Sequence, residues 1–205
     1  MRSALRLTST TLGVYAGLLG IEHGIFETLQ GSITPNGVLI NAIGAPCQTE
    51  AIWHGCFPAL TLIPNVLLSG IFAILSGLCM LAWSVAFIQR ERGGQVLLLL
   101  SILLFLVGGG FVSTFIGLIA GSAACKFQIP SGLWRLGFRK TSRFLAKPWP
   151  WALVLMGVWL PGSWLIGHYF NQAMLNATLV TFLFFDVGLP LLAVLSGFAY
   201  DTQQR

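Results

Sequence analysis

Residues 96–124 read VLLLLSILLFLVGGGFVSTFIGLIAGSAA, a block without a single ionisable side chain. It exceeds the roughly 18 apolar residues at which a membrane span becomes the default reading. It either crosses once as a long helix or turns back at Gly108-Gly109-Gly110 as a hairpin. The charges decide between these. With a cytoplasmic N-terminus and one long helix, seven of the eleven Lys and Arg residues fall on the outer side; inverting the chain still leaves four there. With a hairpin, all eleven lie inside. Cytoplasmic loops carry an excess of Lys and Arg, so the hairpin is expected and the single long helix is the alternative. Three glycines suit a tight turn, since glycine tolerates positive φ. Each arm holds about 12–14 residues, roughly 18–21 Å of helix against a hydrocarbon core of about 30 Å. A re-entrant or short-helix hairpin is therefore expected, its turn backbone shielded by protein.

Outward from this block, four more apolar stretches follow the same logic: residues 7–30, 58–89, 150–170 and 177–199. The expected fold is all-α, a polytopic transmembrane helical bundle of five main hydrophobic blocks in one domain over residues 1–205. Composition agrees. Hydrophobic residues make up 56% of the chain and charged residues 8%, against roughly 25% charged in soluble domains. So few charges cannot cover a globule in water, whereas a lipid bilayer solvates apolar side chains directly. The expected location is the cell membrane, with both termini cytoplasmic. The start of the chain resembles a signal peptide, but Glu22, His23 and Glu27 follow at once and no clean cleavage site precedes them, so an uncleaved first span is read.

The net charge is +5. The basic residues sit between apolar blocks, the pattern of loops facing anionic headgroups, so nucleic acid is not expected as a partner. Residues 125–149 form a basic cytoplasmic connector that mixes Trp134, Phe138 and Phe144 with Arg135, Arg139, Lys140, Arg143 and Lys147. It reads either as a segment lying on the inner leaflet or as a plain basic loop.

The strings GIEHGIFETLQG (20–31), LTLIPNVLLSGI (60–71), LLLLSILLFLVGGGF (97–111) and FFDVGLPLLAVLSGFAYD (184–201) resemble those of a family of small prokaryotic polytopic membrane proteins with no known activity. The resemblance extends over most of the chain and implies a membrane protein without implying a mechanism. Members carry prolines just after the triple glycine, where this chain has Val112-Ser113-Thr114. That departure weakens the family's support for a turn at this point.

Polar residues inside apolar blocks are costly and often functional. Six form the candidate site: Glu22, His23, Glu27, Asn65, His168 and Asp186. His23 and Glu27 are one helical turn apart, a spacing that lets them hydrogen-bond, share a proton or hold an ion. Asn65 follows Pro64 in the expected second span, where a proline kink would line a cavity. Pro190, four residues after Asp186, removes the helical bond to that residue's carbonyl. Under the hairpin topology these residues group into one outward-opening polar pocket, with Asp186 near the midplane. Gly13, Gly17, Gly20 and Gly24 form a small-residue stripe on which another helix, in this chain or in a partner subunit, can pack closely.

Cys47 and Cys56 are candidates for a disulfide in an oxidising compartment; free thiols, or a metal site shared with His54, are the alternatives. No nucleotide, haem or catalytic fingerprint occurs, so no cofactor and no metal is assigned. Three function classes stay open. One is a small transporter or binding carrier with an outward-facing pocket. A second is a membrane enzyme acting on a lipid-like substrate, with His23 as base and Glu27 as its orienter. The third is an accessory subunit of a larger complex.

Overall fold

A computed structural model describes residues 3–41, 57–125 and 139–204 of the chain. The 96–124 block is broken where the glycine triplet lies. Helix α3 (Gly93–Leu106) ends before it, α4 (Phe111–Ala124) begins after it, and the two pack against each other. Gly108 and Gly110 have φ of 97° and 84°, a region that residues with a Cβ avoid. The turn's backbone is covered by protein polar groups. The Leu62 amide donates to Leu106 O at 2.9 Å, the Gly109 amide to Leu104 O at 2.8 Å, and the Ser69 hydroxyl to Val107 O at 3.0 Å. Thr114 Oγ1 donates to Gly110 O at 2.9 Å, and Ser113 to the Gly109 and Gly110 carbonyls.

Helix α1 (Ala4–Gln30) is capped by Ser3, whose hydroxyl accepts from the Arg6 amide. The first free amides of α1 go elsewhere: Ala4 N and Leu5 N donate to the Asp201 carboxylate at 2.7 and 3.1 Å. The last helix thereby satisfies donors that a helix start leaves open. Helix α2 (Val66–Ala86) packs along α1. Between them lies a two-stranded antiparallel sheet, β1 (Leu39–Asn41) with β2 (Pro58–Leu60), Leu39 opposite Leu60. The described chain is mostly helical, as expected, with these two short strands added. The expected start of the second span at residue 58 moves to Val66, because Pro64 carries no amide proton and Asn65 caps the helix.

Helix α5 (Arg139–Ala146) precedes α6 (Trp149–Tyr169). The expected short loop at 171–176 is instead a helix, α7 (Asn171–Asn176). The final helix runs through α8 (Thr178–Thr181), a π-helical segment at Phe182–Gly188, and α9 (Leu189–Gln203). Pro190 accounts for the π segment. It has no amide to give the Asp186 carbonyl, and the ladder widens so that the Leu189 amide reaches Phe184 O.

Among the described residues, three helical stretches are long and apolar enough to cross a membrane: Val66–Ala86, Arg143–Tyr169 and Thr178–Gln203. Helices α3 and α4, at 14 residues each, are shorter. Helix α1 is long, but its Ser, Thr, Gly and ionisable residues keep it out of that set. The outer faces are apolar: Val158, Leu165, Leu179 and Val180 are each 60–69% exposed. The core lies along α1, where Leu12, Tyr15 and Ala16 meet Met80, Leu97, Leu104, Ile116 and Met156.

The glycine stripe is filled from within the chain. A Cβ on Gly17 would lie 2.8 Å from Gly77 O, and one on Gly24 would lie 2.6 Å from Gly70 O. Gly13 faces Ser84 and Gly20 faces Leu104. The expectation that Gly13, Gly17, Gly20 and Gly24 offer a face to a partner subunit is corrected here, since α2 and α3 already occupy that face.

Candidate functional site

Four of the six sequence-derived site residues meet in pairs, on different faces of α1, and two stand apart. Glu22 and Asp186 make the first pair. Both line a crevice of about 30 Å³ between α1, α6 and the π segment, together with Tyr15, Trp159, Trp164 and Thr181. The Trp164 side chain donates a hydrogen bond to Glu22, and the two carboxylates are close enough to interact electrostatically. Asp186 comes from the widened turn that Pro190 imposes. Trp159 and Phe185 stack at 3.6 Å with nearly parallel rings, holding α6 against the last helix. Among the described residues, no Lys, Arg or His lines the crevice.

His23 and Glu27 make the second pair, beneath the glycine turn. Glu27 is fully buried and His23 nearly so. A Cβ on Gly108 would lie 2.6 Å from Glu27 Oε1 and 2.6 Å from Ser69 Oγ; one on Gly110 would lie 2.5 Å from His23 Nε2. The turn can sit on these side chains only because it lacks side chains of its own. His23 Nδ1 and both Glu27 carboxylate oxygens have no hydrogen-bond partner among the described residues. The two residues therefore do not hydrogen-bond to each other, and the arrangement of His23 as base with Glu27 as orienter is not formed. The Ser69 hydroxyl beside Glu27 is directed to Thr61 Oγ1 (2.8 Å) and Val107 O.

The remaining two do not join either pair. Asn65 is the cap of α2: its Oδ1 accepts from the Leu68 amide at 3.1 Å and its Nδ2 donates to Ser32 at 2.8 Å. Pro64 lies outside the helix and kinks nothing. His168 is exposed in the last turn of α6, its ring edge-on to Tyr169. The expected single pocket of six residues is thus corrected to two separate clusters, because Glu22 and His23, adjacent in sequence, point about 100° apart around a helix. Cys47, Cys56 and His54 lie outside the described residues, as does most of the basic connector. Among the described residues no cluster of three His, Cys, Asp or Glu side chains could hold a metal ion.

Several lining residues escaped the sequence reading. Tyr15 lies seven positions before Glu22, on the same helical face. On the last helix Thr178 and Thr181 are three positions apart, and Phe182 and Asp186 four. Trp159 and Ser163 are likewise four apart on α6. That spacing was available, but which faces meet follows from packing alone.

The chain matches no family model, no curated protein and no solved structure.

Proposed function

We propose that this chain is a polytopic protein of the cell membrane, with both termini cytoplasmic, that binds and carries a small cationic solute at Glu22 and Asp186. The observation that carries the reading is the crevice itself: two carboxylates from different helices face one space, with no basic side chain among its described lining residues. Carboxylates at such depth are expensive in lipid and persist where they serve binding or transport. The π turn adds weight, because such bulges concentrate at functional sites.

The polytopic reading rests on the three apolar helices and on what shares an end of the bundle. Arg6 donates to Gln89 at 3.1 Å, Trp149 to Thr8 at 2.8 Å, and Asp201 accepts from Ala4 and Leu5. Both described ends of the chain, the 87–92 turn and the start of α6 therefore lie together, and the glycine turn lies with the strands at the opposite end. This arrangement supports the reading in which the basic residues are cytoplasmic.

The enzyme reading draws less support, since His23 and Glu27 are sealed beneath the turn and do not pair. The accessory-subunit reading loses its glycine stripe to α2 and α3.

Uptake of methylammonium and alkali cations into proteoliposomes tests the proposal. Wild-type protein is expected to exceed empty liposomes for at least one of these cations. Glu22→Gln and Asp186→Asn each reduce that uptake at least ten-fold, while His168→Ala leaves it unchanged. Uptake that is indifferent to both carboxylate variants contradicts the proposal.

A further inference from the structure

The crevice does not end at Glu22. A second, open groove of about 410 Å³ runs between α1 and α6, and it shares Glu22, Leu160 and Trp164 with the crevice. Apart from Glu22 the groove is walled by apolar side chains, among them Leu18, Ile25, Phe26 and Pro161. Leu18 and Ile25 are 38% and 46% exposed, so the groove opens on the apolar outer face of the bundle rather than at either end. Phe26 and Trp164 stack at 5.7 Å across it. Its volume lies within the range of small-molecule sites, roughly 300–1,000 Å³. The crevice, at about 30 Å³, holds about one water-sized group.

Resting on the carrier reading above, we infer that the cargo is an amphipathic primary amine that enters sideways from the lipid. Its alkyl body lies in the α1–α6 groove and its ammonium head lies between Glu22 and Asp186.

Four features select this chemistry. Charge complementarity selects a cation, because two carboxylates line the head site and no basic side chain among the described residues offsets them. Aromatic side chains add to it: Tyr15, Trp159 and Trp164 line the same space, and aromatic rings attract cations. Size selects an unsubstituted ammonium, whose volume is near that of water, over a quaternary head. The apolar groove leading to the charged crevice requires that the cation carry a hydrocarbon body, since a fully hydrated ion gains nothing from that path.

The test is calorimetric titration of the purified chain in a non-ionic detergent with decylammonium, decyltrimethylammonium, decanol and ethylammonium. Decylammonium is expected to bind at least ten-fold more tightly than each of the other three. Glu22→Gln and Asp186→Asn each weaken it at least ten-fold. Leu18→Trp, a change at an exposed position that fills the groove, weakens decylammonium but leaves ethylammonium unchanged. Equal binding of decylammonium and decanol overturns the inference, as does decylammonium binding indifferent to Glu22→Gln. Ethylammonium binding as tightly as decylammonium, and lost in Glu22→Gln, overturns the amphipathic cargo while leaving the carrier reading intact. No binding of any cation to protein with an intact unfolding transition removes both.

Discussion

Glu27 is the costliest residue in the structure to explain by packing alone. Both of its oxygens are buried and neither has a partner among the described residues, an arrangement that ordinarily costs a few kcal/mol. The glycine turn is fitted to it and to His23 by the absence of two methyl groups. Gly110→Ala should therefore destabilise the fold by about 1–3 kcal/mol from its positive-φ, extended backbone alone, with more from displacing His23. In the double variant His23→Ala, Gly110→Ala the second part is relieved. Unfolding in mixed micelles should show a coupling of more than about 0.5 kcal/mol; strictly additive losses would refute the fit. Asp201 offers a simpler test. Asp201→Ala removes the acceptor for two amides at the start of α1 and should cost about 1–2 kcal/mol; an unchanged transition would show that the cap contributes nothing. Sequence picked out Glu22, His23, Glu27 and Asp186 because ionisable groups stand out in apolar blocks. It could not sort them into two clusters, since that depends on which helix lies against each side of α1. Asn65 misled for a local reason: a proline just before a helix reads like one inside it until the cap is located.

Helices in this chain use glycine in two opposite ways. Gly24 and Gly70 bring the backbones of α1 and α2 together, each meeting the other's carbonyl oxygen at 2.6 Å once a Cβ is built. Gly157 and Gly162 of α6 face open space. Gly24→Ala should destabilise sharply, because backbone cannot step aside as a side-chain tip can. Gly157→Ala should raise stability by about 0.5–1 kcal/mol through helix propensity. The reverse order in thermal unfolding would contradict the packing described. The stripe's period was visible in sequence, but the identity of its partner was not, since α2 carries the matching Gly70 and Gly77 among many other small residues. The hairpin was legible because two independent signals agreed, the charge distribution and three consecutive glycines. The π segment was legible only in its cause: Pro190 marked a missing bond, and the way the ladder relaxed around it depends on neighbouring helices.

For the molecule as a whole, the proposed site requires the chain to double back at Gly108–Gly110 within a bundle surrounded by hydrocarbon. Helices α3 and α4, each about 21 Å long by rise per residue, do not match a full bilayer core of about 30 Å. The polar cover over the turn, from Leu62, Ser69, Ser113 and Thr114, is what lets irregular backbone sit there. The turn also fixes the sidedness of everything after it. If the chain crossed once instead of returning, α6 and the last helix would be inverted, and Asp186 would approach Glu22 from the other direction. Single cysteines at positions 36, 91, 171 and 203, in a background free of the native cysteines, put this to the test with a membrane-impermeant maleimide on intact cells. The expected result is labelling of Asn36→Cys and Asn171→Cys from outside, with Glu91→Cys and Gln203→Cys reacting only after permeabilisation. Asn171→Cys reacting only after permeabilisation, while Asn36→Cys labels from outside, would contradict the hairpin and the site built on it.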